Sequence, residues 1–142
     1  MRYAYPVDLV PDETGYTVTA ADVPGLVTWG ATPREALDQA ADALVSALSV
    51  FVEEGRPLPH PSPAFGRPVV PVGALEAAKL ALHDAMVDAG VSNMELARGL
   101  ALDEKAIRRL RDPLHRSHIG TIEAALHHLG KRMELIVADA AV

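Results

Sequence analysis

The forty residues "YTVTAADVPGLVTWGATPREALDQAADALVSALSVFVEEG" (16–55) change period part-way along. From Tyr16 to Ala20 apolar and polar side chains alternate, the two-residue period of a strand. "DVPG" (22–25) has turn chemistry, and "LVTWG" (26–30) reads as another short strand. From Thr32 the period becomes helical, with Ala36, Leu37, Ala40, Leu44, Leu48 and Phe51 recurring on one face. Thr32 is placed to cap that helix. Pro33 suits its first position, Glu35 sits where a capping box needs an acid, and Gly55 ends it. Strands followed by one amphipathic helix predict a sheet with the helix laid on one face, an α+β layer.

Upstream, Tyr3, Tyr5, Val7 and Leu9 alternate with Arg2, Ala4, Pro6 and Asp8. Residues 2–10 are therefore expected as a strand, with Pro6 favouring a sheet edge. "PDETG" (11–15) would turn it into a hairpin with 16–20. Downstream, residues 56–68 hold five prolines in thirteen positions, which excludes helix and reads as a stiff, extended connector. "VVPV" (69–72) fits one further edge strand. The expected domains are 1–72, connector included, and 73–142.

The second half is helical. Leu75, Ala78, Leu82, Met86 and Ala89 form a stripe that Gly90 stops, and Ser92 with Glu95 forms a capping box. Short helices are expected to about Gly99, from about Asp103 to Arg111, and from Ser117 to Leu129. "RMELIVA" (132–138) then alternates like a strand. A lone strand needs a partner for its backbone groups. A second copy of the chain would supply one through Met133, Leu135 and Val137, and the first domain's sheet is the other candidate.

The charge is uneven. The whole chain carries −6, and residues 1–72 hold four basic against nine acidic side chains, whereas residues 98–116 hold six against three. A phosphate feels the local field, because screening confines it to roughly 10 Å at ordinary salt. Within 93–112, Leu96, Leu100, Ile107 and Leu110 have the spacing of a wedge between two helices, and Ala97 lets them cross closely. Asp103 caps the second helix, leaving Glu104, Lys105, Arg108 and Arg109 outward. Lys105, Arg108 and Arg109 are the candidate groove contacts, and Asn93 and Arg116 the candidate phosphate contacts. His115 and His118 are further groups within reach of a phosphate. An acidic first half suits a basic partner, with Asp22 and Trp29 as candidate contacts, the other reading of Trp29 being core packing at a strand end.

Other chemistry has little support. Asp8, Asp12, Glu13 and Asp22 do not read as a set converging on metal ions, and the six histidines are not at ligand spacing. The chain has no cysteine. No catalytic residue, metal or cofactor is expected. No apolar run spans a membrane and the N-terminus lacks a signal-like stretch, so a cytoplasmic protein is expected.

The spacing over 93–112 resembles the helix-turn-helix of the Cro/C1-repressor type, except that Ala101 stands where that turn usually has glycine. "PDETGY" (11–16), "DVPGLVTWGAT" (22–32), "EAL" (35–37) and "LPHPSP" (58–63), in that order, resemble the HicB antitoxin family. The continuation to "LGKRMELIV" (129–137) resembles its helix-turn-helix branch rather than its ribbon-helix-helix branch. The resemblance implies a reduced ribonuclease-H-like first domain that masks HicA, a small basic mRNA-cutting toxin. It implies a second domain that dimerises and binds the operator of its own operon. The partners implied are the toxin, operator DNA, and a homodimer or a higher homo-oligomer built from it. Two other readings are a solitary transcription regulator whose first domain senses a ligand or partner, and a degenerate nuclease.

Overall fold

The computed structural model describes residues 2–139. The outer ends of the two expected domains, residue 1 and residues 140–142, lie outside them. The chain is α+β. Its order is β1 (Ala4–Pro6), β2 (Asp8–Pro11), β3 (Tyr16–Thr19), β4 (Val27–Gly30), α1 (Pro33–Glu53), β5 (Val69–Pro71), α2 (Ala74–Ala89), α3 (Asn93–Leu100), α4 (Glu104–Arg111) and α5 (Ile119–His128).

The first expected strand is two strands. Pro6 has no N–H to continue a ladder, and the Val7 N–H bonds instead to the Pro68 carbonyl at 2.9 Å. The chain therefore changes partner at Val7. β1 pairs antiparallel with β5, Tyr5 opposite Val70, and β2 pairs antiparallel with β3, Leu9 opposite Val18. β4 completes a three-stranded sheet in the order β2-β3-β4. The inward side chains keep the expected alternation, with Tyr3, Tyr5 and Val7 buried.

α1 covers one face of that sheet through Ala36, Ala40, Leu44 and Leu48, all buried. Burying each leucine contributes roughly 1.5–3 kcal/mol. The approach to β4 is close enough that a Cβ on Gly30 would overlap the backbone of Ala36. Thr32 Oγ1 accepts from the Glu35 N–H at 3.1 Å, but the Glu35 carboxylate reaches past Thr32 to the Ala31 N–H at 3.3 Å. The capping box is thus displaced by one residue on its return bond.

The proline-rich stretch is pinned to the protein along its length. Leu58 is buried in the first core. The Tyr5 hydroxyl donates to the Pro59 carbonyl at 2.8 Å, and the Ser62 N–H and hydroxyl both donate to the Asp22 carboxylate at 2.9 Å.

α2 serves two cores. Leu80 packs with the sheet and α1, while Ala78, Leu82, Ala85 and Met86 pack with α3, α4 and α5. Asp84 ties the helix to the first core, accepting from the Tyr3 hydroxyl at 2.7 Å.

The expected strand at 132–138 is not formed within one chain. Residues 131–139 adopt neither helix nor ladder. Met133 packs partly against the second core, whereas Leu135, Ile136 and Val137 are exposed. The physical reason is that a strand exists only beside another, and none of the described residues pairs with this one. Among the described residues no helix is long and apolar enough to cross a membrane.

α3 ends in a left-handed residue, Ala101, at φ 56° and ψ 39°. The Leu102 N–H returns to the Ala97 carbonyl and the Ala101 N–H to the Arg98 carbonyl, the Schellman closure that normally has glycine at this point. A Cβ there costs roughly 1–2 kcal/mol. Ala101→Gly is therefore expected to stabilise the protein by about 1 kcal/mol, net of the glycine's greater unfolded-state freedom. Urea unfolding measures it, and an unchanged midpoint would show that the turn relaxes elsewhere.

Candidate functional site

α3 and α4 are placed by their apolar faces and by three caps. Leu96, Ala97, Ile107 and Leu110 are buried in the second core, with Leu100 packed against it. Ser92 and Glu95 cap α3 reciprocally. The Asp103 carboxylate accepts from the Ala106 N–H at 2.7 Å to start α4. At the far end of α4 the cap is a buried lysine. Lys79, on α2, donates from Nζ to the Arg109 carbonyl at 2.8 Å, the Leu110 carbonyl at 3.4 Å and the Ser117 hydroxyl at 2.7 Å. Burial holds its pKa below the usual lysine range.

With the wedge inside, Lys105, Arg108 and Arg109 lie exposed on α4, and Arg116 is exposed in the loop after it. Lys105 and Arg109 have no side-chain partner among the described residues, whereas Arg108 Nη2 donates to both oxygens of Glu104, at 2.7 and 2.9 Å. That bond holds the Glu104 carboxyl below the usual glutamate range.

Asn93 lies partly buried between the helices, not free on the surface. Its Oδ1 accepts from Arg111 Nη1 at 2.7 Å, and its Nδ2 donates to Glu104 at 3.4 Å. Arg111 turns inward. Its Nη2 donates to His83 Nδ1 at 2.6 Å, and its Nε is buried without a partner. His83 is fully buried, and its Nε2–H donates to the Arg56 carbonyl at 2.7 Å. This pairing fixes the neutral Nε2–H tautomer, since Nδ1 must accept from a guanidinium.

Burial first, and the Arg111 charge as well, push the His83 pKa below 6.5, against the raising effects of the Arg56 carbonyl and of Asp84. The unfolded chain then takes up a proton at His83 before the folded one does. Stability from this residue is complete above pH 6.5 and is lost as pH falls from there towards the depressed folded value. Urea midpoints measured downward from about pH 7.5 are expected to fall more steeply for the wild type than for His83→Gln. Parallel curves would contradict it.

The other face of the β2-β3-β4 sheet is open. Register places Asp8, Thr19 and Val27 in one cross-strand row and Val10, Thr17 and Trp29 in the next. Val10, Val27 and Trp29 are 54%, 68% and 44% exposed, so the tryptophan is outside the core that α1 covers. Asp22 lies off this sheet, in the turn before β4, where it accepts the two Ser62 bonds. Asp12 is the hairpin's internal acceptor, taking the Thr14 and Gly15 N–H groups at 2.8 and 2.9 Å, which lowers its pKa. Among the described residues no three His, Asp or Glu side chains gather as a metal site.

A family model described as HicB_like antitoxin of bacterial toxin-antitoxin system matches residues 4–81, which take in the sheet, α1, the proline-rich return and the first half of α2. Antitoxin HicB 2 of Photorhabdus laumondii is 42% identical over 132 residues, 93% of this chain and 94% of that protein. The chain belongs to the HicB antitoxin family. Within it, Antitoxin HicB of Pseudomonas fluorescens is 35% identical over 142 residues, covering 99% of this chain and 97% of the relative. Antitoxin HicB of Escherichia coli K12 is 33% identical over 135 residues, covering 94% and 98%. The likeness to these HicB proteins therefore extends through α3, α4 and α5, beyond the span of the family model.

Sequence reasoning missed the buried polar groups Lys79 and His83. Lys79 and His83 are four apart on α2, one helical turn, and their partners come from distant segments.

Proposed function

We propose that this HicB-family protein is an antitoxin with two separate binding surfaces, one in each of the domains 1–72 and 73–142. The first masks a HicA-type toxin ribonuclease by covering its active surface with the open β2-β3-β4 face, with Trp29 as the anchor and Asp22 holding the adjoining turn. The second is a helix-turn-helix that represses the protein's own operon. In a dimer, α4 of each copy lies in successive major grooves of a palindromic operator, about 34 Å apart.

The observation that carries this reading is the outward Lys105, Arg108 and Arg109 on a helix whose opposite face is locked into the core. They give a basic surface to a protein that is otherwise acidic. Arg108 and Arg109 read bases, and Lys105 and Arg116 hold phosphates. Asn93 holds α3 against α4. The dimer forms through Met133, Leu135 and Val137, and three consecutive exposed aliphatic residues without a ladder partner support a second copy as that partner.

The test is fluorescence anisotropy with a duplex from the region upstream of the gene. With the phosphate contacts of Lys105 and Arg116 doubled in a dimer, affinity is expected to fall about 10²-fold between roughly 50 and 200 mM salt. A flat response would overturn the DNA-binding half of the proposal.

A further inference from the structure

An acid on a DNA-facing helix is a liability for affinity, since it repels phosphates. Glu104 occupies the first exposed turn of α4, and its position is fixed from two sides. Arg108 Nη2 chelates both carboxylate oxygens, and the Asn93 amide donates to one of them. Asn93 is held by Arg111, Arg111 by His83, and His83 by the Arg56 carbonyl. The carboxylate is thus the outer end of a hydrogen-bonded chain that begins at a fully buried histidine. Lys105 and Arg109, by contrast, have no side-chain partner among the described residues.

We propose that Glu104 is a specificity-determining positioning residue: it holds the Arg108 guanidinium in one pose, so that its remaining N–H groups meet a single base and no other. This rests on α4 being the DNA-reading helix. The physical reason is entropic. A free arginine finds a phosphate or any acceptor in the groove, whereas one already oriented loses less freedom on meeting the right base and cannot follow the wrong one. Bidentate recognition of guanine depends on such orientation. An ordinary i,i+4 ion pair would also stabilise the helix, by about 0.3–0.5 kcal/mol, so the test must read discrimination rather than folding.

The experiment compares the upstream duplex with a scrambled duplex of equal length and composition, using wild type, Glu104→Ala, Glu104→Gln, Arg108→Ala and the Glu104→Ala/Arg108→Ala double variant. Glu104→Ala is expected to shrink the ratio of the two affinities about ten-fold, without weakening binding to scrambled DNA and with a melting temperature lowered by only about 1–2 °C. Glu104→Gln keeps an acceptor for Arg108 and is expected to retain most of the ratio. In the Arg108→Ala background, removing Glu104 is expected to change the ratio no further. Equal gains on both duplexes from Glu104→Ala would show simple charge repulsion and overturn the proposal. So would a loss that persists without Arg108, which would mean that Glu104 reads a base itself. A wild type that does not distinguish the duplexes would refute the DNA-reading role as well as this one. A discriminating wild type matched by Glu104→Ala refutes only the role of Glu104.

Discussion

Replacing Arg108 and Arg109 together by alanine is expected to weaken binding to the upstream duplex by at least about 30-fold, since each arginine–guanine pairing contributes roughly 1–3 kcal/mol. The fold should survive. The Arg108 side chain is 70% exposed and its one ion pair joins adjacent turns of the same helix; such pairs contribute about 0.3–0.5 kcal/mol. The wedge residues behind it, Ile107 and Leu110, are untouched. Neutralisation of a HicA-type toxin should also survive, because the β2-β3-β4 sheet is backed by the other hydrophobic core, which contains no residue of α4. Anisotropy and a toxin-rescue growth assay on the same variant check both halves. Loss of both activities together would contradict the division of labour.

The second large effect concerns stability. Lys79→Met is expected to destabilise the protein by about 2 kcal/mol, lowering the melting temperature by roughly 6 °C for a chain of this size. Methionine fills the channel and removes the cost of a buried charge, which limits the loss. It leaves the Arg109 and Leu110 carbonyls without their cap and the Ser117 hydroxyl without its partner. Because two of those carbonyls end α4, operator binding is expected to weaken as well. Differential scanning calorimetry measures the first effect. A melting temperature that stays level or rises would mean that the lysine's desolvation outweighs its three bonds.

These two sites differ in how they show in the sequence. The basic face of α4 follows from local spacing: fix Leu96, Ile107 and Leu110 inside, and the arginines must point out. The same holds for α1, whose stripe and N-cap are written within a few residues of one another. Lys79 sits inside an apolar stripe and reads there like any solvated helix lysine, because its three acceptors lie 30 to 38 residues away. His83 and Arg111 are 28 residues apart, and only the packing of α2 on α4 brings them together. The proline-rich stretch is non-helical, as five prolines in thirteen residues require. Its anchoring to Tyr5, Asp22 and Asp84 depends on tertiary contacts that composition does not encode. The terminal segment shows the converse case. Its alternation is a strand pattern, but a strand is a property of two segments, and one chain displays only half of it.

The claim that two surfaces act independently is tested most directly from the side opposite α4, by Trp29→Ala. Trp29 is 44% exposed on the open sheet face, and a central interface tryptophan commonly contributes 2 kcal/mol or more, about 30-fold in affinity. The variant should lose toxin neutralisation by about that factor while binding the upstream duplex with wild-type affinity and salt dependence. Unimpaired neutralisation, or a parallel loss of DNA binding, would contradict the assignment.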